Sequence, residues 1–158
     1  MQKNRLQFKQ PAEYQQKLID LRRVARVVAG GRRFNFRATL VIGNQKGDVG
    51  VGTGKGADTS LAIEKAFRVA RKNLIHIPIT KNKSIPHFVF SKYGSGRVLI
   101  KPAREGNGLV AGGAARTVLS FAGIENASAK ILSRTKNKIN NARAIINALG
   151  QLREKQEK

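Results

Sequence analysis

No cysteine occurs anywhere in the 158 residues, so disulfides and thiolate metal centres are excluded. Tryptophan is also absent and aromatics make up only 6%, so any core must be aliphatic. Two histidines cannot hold a metal alone, the 9 acidic residues are scattered singly, and no Ser/His/Asp arrangement stands out. No apolar run approaches the roughly 18–20 residues of a membrane span. The opening MQKNRLQFKQPAEYQQ lacks the apolar heart of a secretory signal and is not Ser-rich like a transit peptide. These absences lead us to expect a soluble intracellular protein with no metal, no cofactor and no catalysis.

What is present is positive charge. Lys and Arg number 31, for a formal net charge of +22. Such a chain repels itself, and a polyanion is the natural compensation. Nucleic acid leads, because each neutralised phosphate releases counterions. A membrane surface is the alternative, but its binders concentrate charge on one amphipathic helix, whereas these cations run along the whole chain. The apolar fraction, 41%, suffices for one medium domain or two small ones.

Along the chain, residues 1–12 read as a polar tail. RVARVV favours a strand from about 21 to 28, although Leu18, Leu21 and Val24/Ala25 also allow a helix start. FNFRATLVIG alternates cleanly: Phe34, Phe36, Ala38, Leu40 and Ile42 share one face, Asn35, Arg37 and Thr39 the other. NQKGD is a turn and VGVG at 49–52 a short strand. A helix follows, with Ile63, Phe67, Ala70 and Leu74 on its apolar stripe, Lys65, Arg68 and Lys72 on a basic one, and Arg71 at the margin. Asp58 or Thr59 is its expected cap. Pro78 and KNKS mark a boundary. A hairpin (PHFVF, RVLIKPA), a glycine loop, a helix from about 110 to 122 stopped by Gly123, a strand at 127–133 and a last helix capped by Asn137 complete the chain.

Three stretches carry possible chemistry. GVGTGKGADTS at 50–60 is a glycine turn into a helix, the setting in which free amides hold phosphate. The phosphate-loop pattern fails at both ends, with Val49 and Gly56 where Gly and Ser/Thr belong. A dinucleotide pattern fits Gly52, Gly54 and Ala57, yet fits Gly106, Gly108 and Ala111 equally, and no acid lies between 70 and 82. That leaves a plain turn, or a loop whose amides and Lys55 meet nucleic-acid phosphates. The stripe Lys65, Arg68, Lys72 is a solvated face or a phosphate contact. EGNGLVAGGAAR places Gly112-Gly113 inside the expected helix at about 1 kcal/mol each against Ala. Packing on the chain's own sheet and close approach of RNA or a protein explain that equally well. His76 and His87 read as ordinary strand or surface residues. Tyr93 either covers its turn or stacks on a base.

Taken in order, RVARVVAGGRRFNF, GVGTGKG, SGRVLIKPA, EGNGLVAGGAAR and a final helix with N-x-x-R-A closely resemble the bacterial ribosomal small-subunit protein five family over about residues 14–150. The resemblance implies an α+β protein of two small domains. The first is βββα and similar to a double-stranded-RNA-binding fold, the second ββαβα of split β-α-β type. The implied layout is a basic tail at 1–13, an RNA-binding domain at 14–76, an α+β domain at 77–150 and a tail at 151–158. It also implies binding to small-subunit ribosomal RNA, contacts with the S-four and S-eight proteins, a place beside the path by which messenger RNA enters, a link to decoding accuracy, and a cytoplasmic ribosomal location.

The family's hairpin loop, which reaches RNA near the spectinomycin site, lands on Arg26 to Arg33, and its S-four contact lands on Gly108 and Arg116. The expected RNA contacts are Arg22, Arg23, Arg26, Gly30, Gly31, Arg32, Arg33, Lys46, Gly54, Lys55, Lys65, Arg68, Arg71, Lys72, Arg97 and Lys101. The expected protein interface is Arg104, Gly106, Gly108, Gly112 and Arg116. This chain departs from the family in GKGADTS and in Lys138 before the last helix, which leaves both helix starts less defined.

Overall fold

A computed structural model describes residues 14–153 of the chain. The expected N-terminal tail and the end of the C-terminal one lie outside the described residues. Strand β1 (Gln15–Val28) pairs antiparallel with β2 (Gly31–Gly43) along its whole length. The strand therefore starts well before 21, and the hint of a helix there has a physical source. A register irregularity between Leu18 and Asp20 shifts the alternation by one residue. Leu18 opposite Leu40 and Leu21 opposite Ala38 then share a face although they stand three apart. A bulged strand thus copies helical spacing.

β3 (Asp48–Gly56) extends this sheet, and β4 (Ile75–His76) closes it in the order β1-β2-β3-β4. β3 is longer than expected, and the supposed glycine turn is part of it. Gly50, Gly52, Gly54 and Gly56 stand opposite Ile42, Leu40, Ala38 and Phe36, all on one face. Helix α1 (Thr59–Lys72) lies on that face through Ala62, Ala66 and Ala70. A Cβ on Gly50 would sit 2.5 Å from the Ala70 carbonyl oxygen, and one on Gly56 2.7 Å from the Ala62 nitrogen. The glycines let helix and strand touch backbone to backbone. Asp58 caps α1, accepting from the Thr59 amide at 2.6 Å and the Ser60 hydroxyl at 2.7 Å. These two donors, Ser60 foremost, hold its carboxyl below the usual range.

The second sheet has the order β5-β6-β8-β7, from β5 (Val89–Tyr93), β6 (Gly96–Pro102), β7 (Leu109–Ala111) and β8 (Ala127–Ile131). Helix α2 (Gly113–Ala122) crosses from β7 to the adjacent parallel β8, and α3 (Lys138–Leu149) follows. β7 is an addition to the expected ββαβα order. Val110 is in that strand, not in the helix, so α2 starts later than expected. Gly112 is its N-cap and Gly113 its first residue, so neither bears the cost of an interior glycine. Gly123 ends α2 with φ 90°, and Asn137 caps α3 by accepting from the Ile139 amide at 3.1 Å.

The two units do not keep separate cores. Val41, Val49 and Val51, on the face of the first sheet opposite α1, join Val98, Ile100, Val118, Leu119, Ile145 and Leu149 in one cluster. The layers are α1, first sheet, α2 with α3, second sheet. The outer face of the second sheet carries no layer among the described residues. The connector after β4 is packed as well: Ile77 and Ile85 are buried, and Ser84 donates to the Asn126 carbonyl at 2.6 Å. Leu152 is buried too, so the core runs past the expected end at 150.

Arg143 of α3, the Arg of N-x-x-R-A, pins the layers together. It donates to the Tyr93 hydroxyl at 2.7 Å and to Thr53 Oγ1 at 3.2 Å, with its guanidinium over the Tyr93 ring. Tyr93 therefore serves the junction between the units. His76 Nδ1 lies 2.7 Å from Asp48 Oδ1, across the β3–β4 pair.

Candidate nucleic-acid interface

β1 and β2 outrun β3. Gly56 pairs with Phe36, so residues 31–35 and their β1 partners project beyond the sheet. The loop is Ala29-Gly30, and Val28 already pairs with Gly31. Of the two adjacent glycines, only Gly31 has positive φ, 136°. Gly30 is simply the second residue of a two-residue turn, and a Cβ on either glycine would meet nothing within 4 Å.

Residues directly opposite in an antiparallel ladder share a face. Arg22, Arg37 and Lys55 therefore form one cross-strand row over three strands. Arg26 and Arg33 form a second row, about 13 Å further along at 3.3 Å per residue. Both rows lie on the face that α2 and α3 cover only nearer the core. One acid interrupts them: Asp20 accepts from Arg22 Nε at 2.9 Å. Arg37 Nε is buried with no hydrogen-bond partner among the described residues. Like charges directly opposite are destabilising, and an anion on this face relieves that repulsion.

The other face of the hairpin differs. Arg23 stacks on the Phe34 ring, 4.5 Å from its centroid, and Arg32 stands opposite the exposed Val27. Arg32 and Arg33 thus point to opposite faces of one ribbon tip.

The remaining expected residues are dispersed. Lys65, Arg68, Arg71 and Lys72 are exposed on α1, with Arg68 bonded to Glu64. Lys55 is exposed at the end of β3, whereas Gly54 is buried beneath Ala62 and Ala66. That corrects the expectation of a phosphate-facing loop: the glycine faces its own helix. Lys46 lies in the β2–β3 turn, at the far end of β2 from the hairpin tip, about 40 Å along the strand. That turn is tied to the end of α2, with Gln45 N donating to the Phe121 carbonyl at 3.1 Å and Gly47 N to Ala122 at 2.9 Å.

Arg97 and Lys101 are exposed on the outer face of the second sheet. Arg104, Gly106 and Gly108 belong to the loop before β7, where Gly108 N donates to Asn126 Oδ1 at 3.2 Å. Gly112 and the exposed Arg116 follow in the first turn of α2. Arg37, which joins Arg22 and Lys55 in the first row, was not among the expected contacts. Its signal was in the alternation, two and four residues on from Asn35 and Arg33.

The layout defines a basic two-unit α+β protein with a projecting cationic hairpin. Family models match both units: "Ribosomal protein S5, N-terminal domain" over residues 14–78 and "Ribosomal protein S5, C-terminal domain" over 91–158. The chain belongs to the ribosomal protein S5 family. It is 46% identical over 155 residues to small ribosomal subunit protein uS5 of Thermosynechococcus vestitus, covering 98% of this chain and 88% of that protein. It is 49% identical over 141 residues to small ribosomal subunit protein uS5c of Guillardia theta, covering 89% and 83%. For uS5 of Trichormus variabilis the identity is 48% over 145 residues, covering 92% and 83%.

Proposed function

We propose that the chain is a structural component of the small ribosomal subunit that holds ribosomal RNA and catalyses nothing. The observation that carries the RNA contact is the row Arg22, Arg37 and Lys55, continued by Arg26 and Arg33 on the same face. RNA helices are read mainly by shape, phosphates and 2′-hydroxyls, so two cationic rows on a stiff ribbon need no base code. The basic face of α1 is a second phosphate contact. Arg32 and Arg33, adjacent in β2 and on opposite faces of the ribbon tip, reach RNA on both flanks of the tip.

The glycine loop with Arg104, Gly106, Gly108, Gly112 and Arg116 is the proposed junction with ribosomal proteins S-four and S-eight. The protein then sits on the cytoplasmic ribosome beside incoming messenger RNA and contributes to subunit assembly and translational accuracy.

Sedimentation of cell lysate on a sucrose gradient tests the assignment. Co-migration with small subunits is expected, and a purely light fraction rejects it. The double variant Arg32→Ala/Arg33→Ala tests the tip: it should keep the fold and weaken assembly or fidelity. Wild-type behaviour in both would return the tip to ordinary surface.

A further inference from the structure

The second sheet has one face under α2 and α3 and one face open. On the open face, Phe90, Leu99 and Lys130 stand in one cross-strand row over β5, β6 and β8. Lys92 and Arg97 form the next row, and Lys101 lies two positions from Leu99 on the other side. The Phe90 side chain is 50% exposed, although its neighbours Val89 and Ser91 are buried. No acidic side chain occupies an outward strand position of this face among the described residues.

We propose that this open face docks an unpaired RNA segment, with a base stacked on Phe90 and its backbone held by Lys92, Arg97, Lys101 and Lys130. This goes beyond the hairpin and α1 contacts, which suit helical RNA. A half-exposed ring on an open sheet face offers a helix nothing, because paired bases are already stacked on each other. An unpaired base is free to stack, and cations spaced along neighbouring strands track its phosphates. A protein partner fits less well, because lysine is depleted from the centre of protein interfaces. Here Lys130 shares the central row with the apolar pair.

The test uses the full chain, a fluorescein-labelled single-stranded oligouridine of ten nucleotides and a labelled RNA hairpin duplex, followed by anisotropy. Phe90→Leu keeps an apolar side chain and removes the ring. It should bind the single strand about tenfold more weakly and the duplex as wild type does. Lys130→Gln should move in the same direction by a smaller factor, which keeps the test informative if Phe90→Leu unsettles the strand. Arg26→Gln/Arg33→Gln/Arg37→Gln should do the reverse, so failure here is distinguishable from failure of the hairpin reading. Photo-crosslinks from a 4-thiouridine oligonucleotide should fall between residues 89 and 101. Unchanged single-strand affinity in both Phe90→Leu and Lys130→Gln, or crosslinks confined to residues 22–37, would overturn the proposal. Loss of a protein contact in Phe90→Leu at unchanged RNA affinity would also overturn it, in favour of a protein-docking face.

Discussion

Two glycine-rich stretches of this chain look alike as text and behave in opposite ways. Gly50, Gly52, Gly54 and Gly56 in β3 face α1, and any side chain there would run into the helix backbone. Gly106, Gly108 and Gly113 open onto empty space, and a Cβ at each meets nothing within 4 Å. The first set is glycine because something of the chain's own is already there. The second is glycine for backbone geometry or for a partner outside the chain. Glycine density marks close approach without saying who approaches.

The sharpest way to break that comparison is to add a side chain on each side of it. Gly52→Val drives two methyls into Ala66 and Ala70 of α1. It should lower stability on the order of 3 kcal/mol, read as a fall in the urea midpoint, and α1 should lose hydrogen-exchange protection first. A wild-type midpoint would show that the helix can lift off without cost. Gly106→Ala has open space but a φ of 87°. It should cost about 1–2 kcal/mol through the backbone alone. Gly113→Ala has open space and a helical first turn, and it should be neutral or stabilising by up to about 1 kcal/mol.

A second contrast separates stability from binding. Replacing Arg22, Arg37 and Lys55 together by glutamine removes three cations from one row. The slope of log affinity for RNA against log salt should fall by about one for each, while thermal stability holds or rises as repulsion is relieved. An unchanged slope would place the RNA elsewhere.

The smallest expected effect is at Asp58. Its carboxyl is held low by Ser60 and Thr59, so the folded form binds that proton less readily than the unfolded chain. The stabilisation is fully present above the ordinary carboxylate pKa and fades as pH drops through the lower folded value. A melting-temperature difference between wild type and Asp58→Ala should therefore be present at neutral pH and shrink in strong acid. A difference that persists unchanged in acid would assign the effect to something other than the charge.

Much of this was legible beforehand, for local reasons. The alternation of β2 is legible because its even-numbered residues pack on α1, although from Ala38 on both faces are buried. The caps at Asp58 and Asn137 and the left-handed stop at Gly123 are decided within a few residues. The misses share a different cause. The bulge near Ile19 hid six residues of β1, because phase within a strand is set by the partner strand. β7 and the late start of α2 were missed because three residues gain strand form only by pairing with β8. Gly54 was misplaced because a glycine buried under a helix and one in a phosphate loop have the same neighbours in sequence.

The sequence by itself determined the charge, the aliphatic core, the order of the main elements and the family. All of these depend on composition, short-range periodicity or ordered motifs. Tertiary structure alone decided that the two units share a core through Val41, Val49 and Val51, and that Arg143 pins one to the other. It also placed Arg22, Arg37 and Lys55 in one row while leaving Lys46 at the other end of the sheet. Those facts rest on strand register and on which face of a sheet is covered. Both are set by contacts between residues far apart in the chain, and no local pattern encodes them.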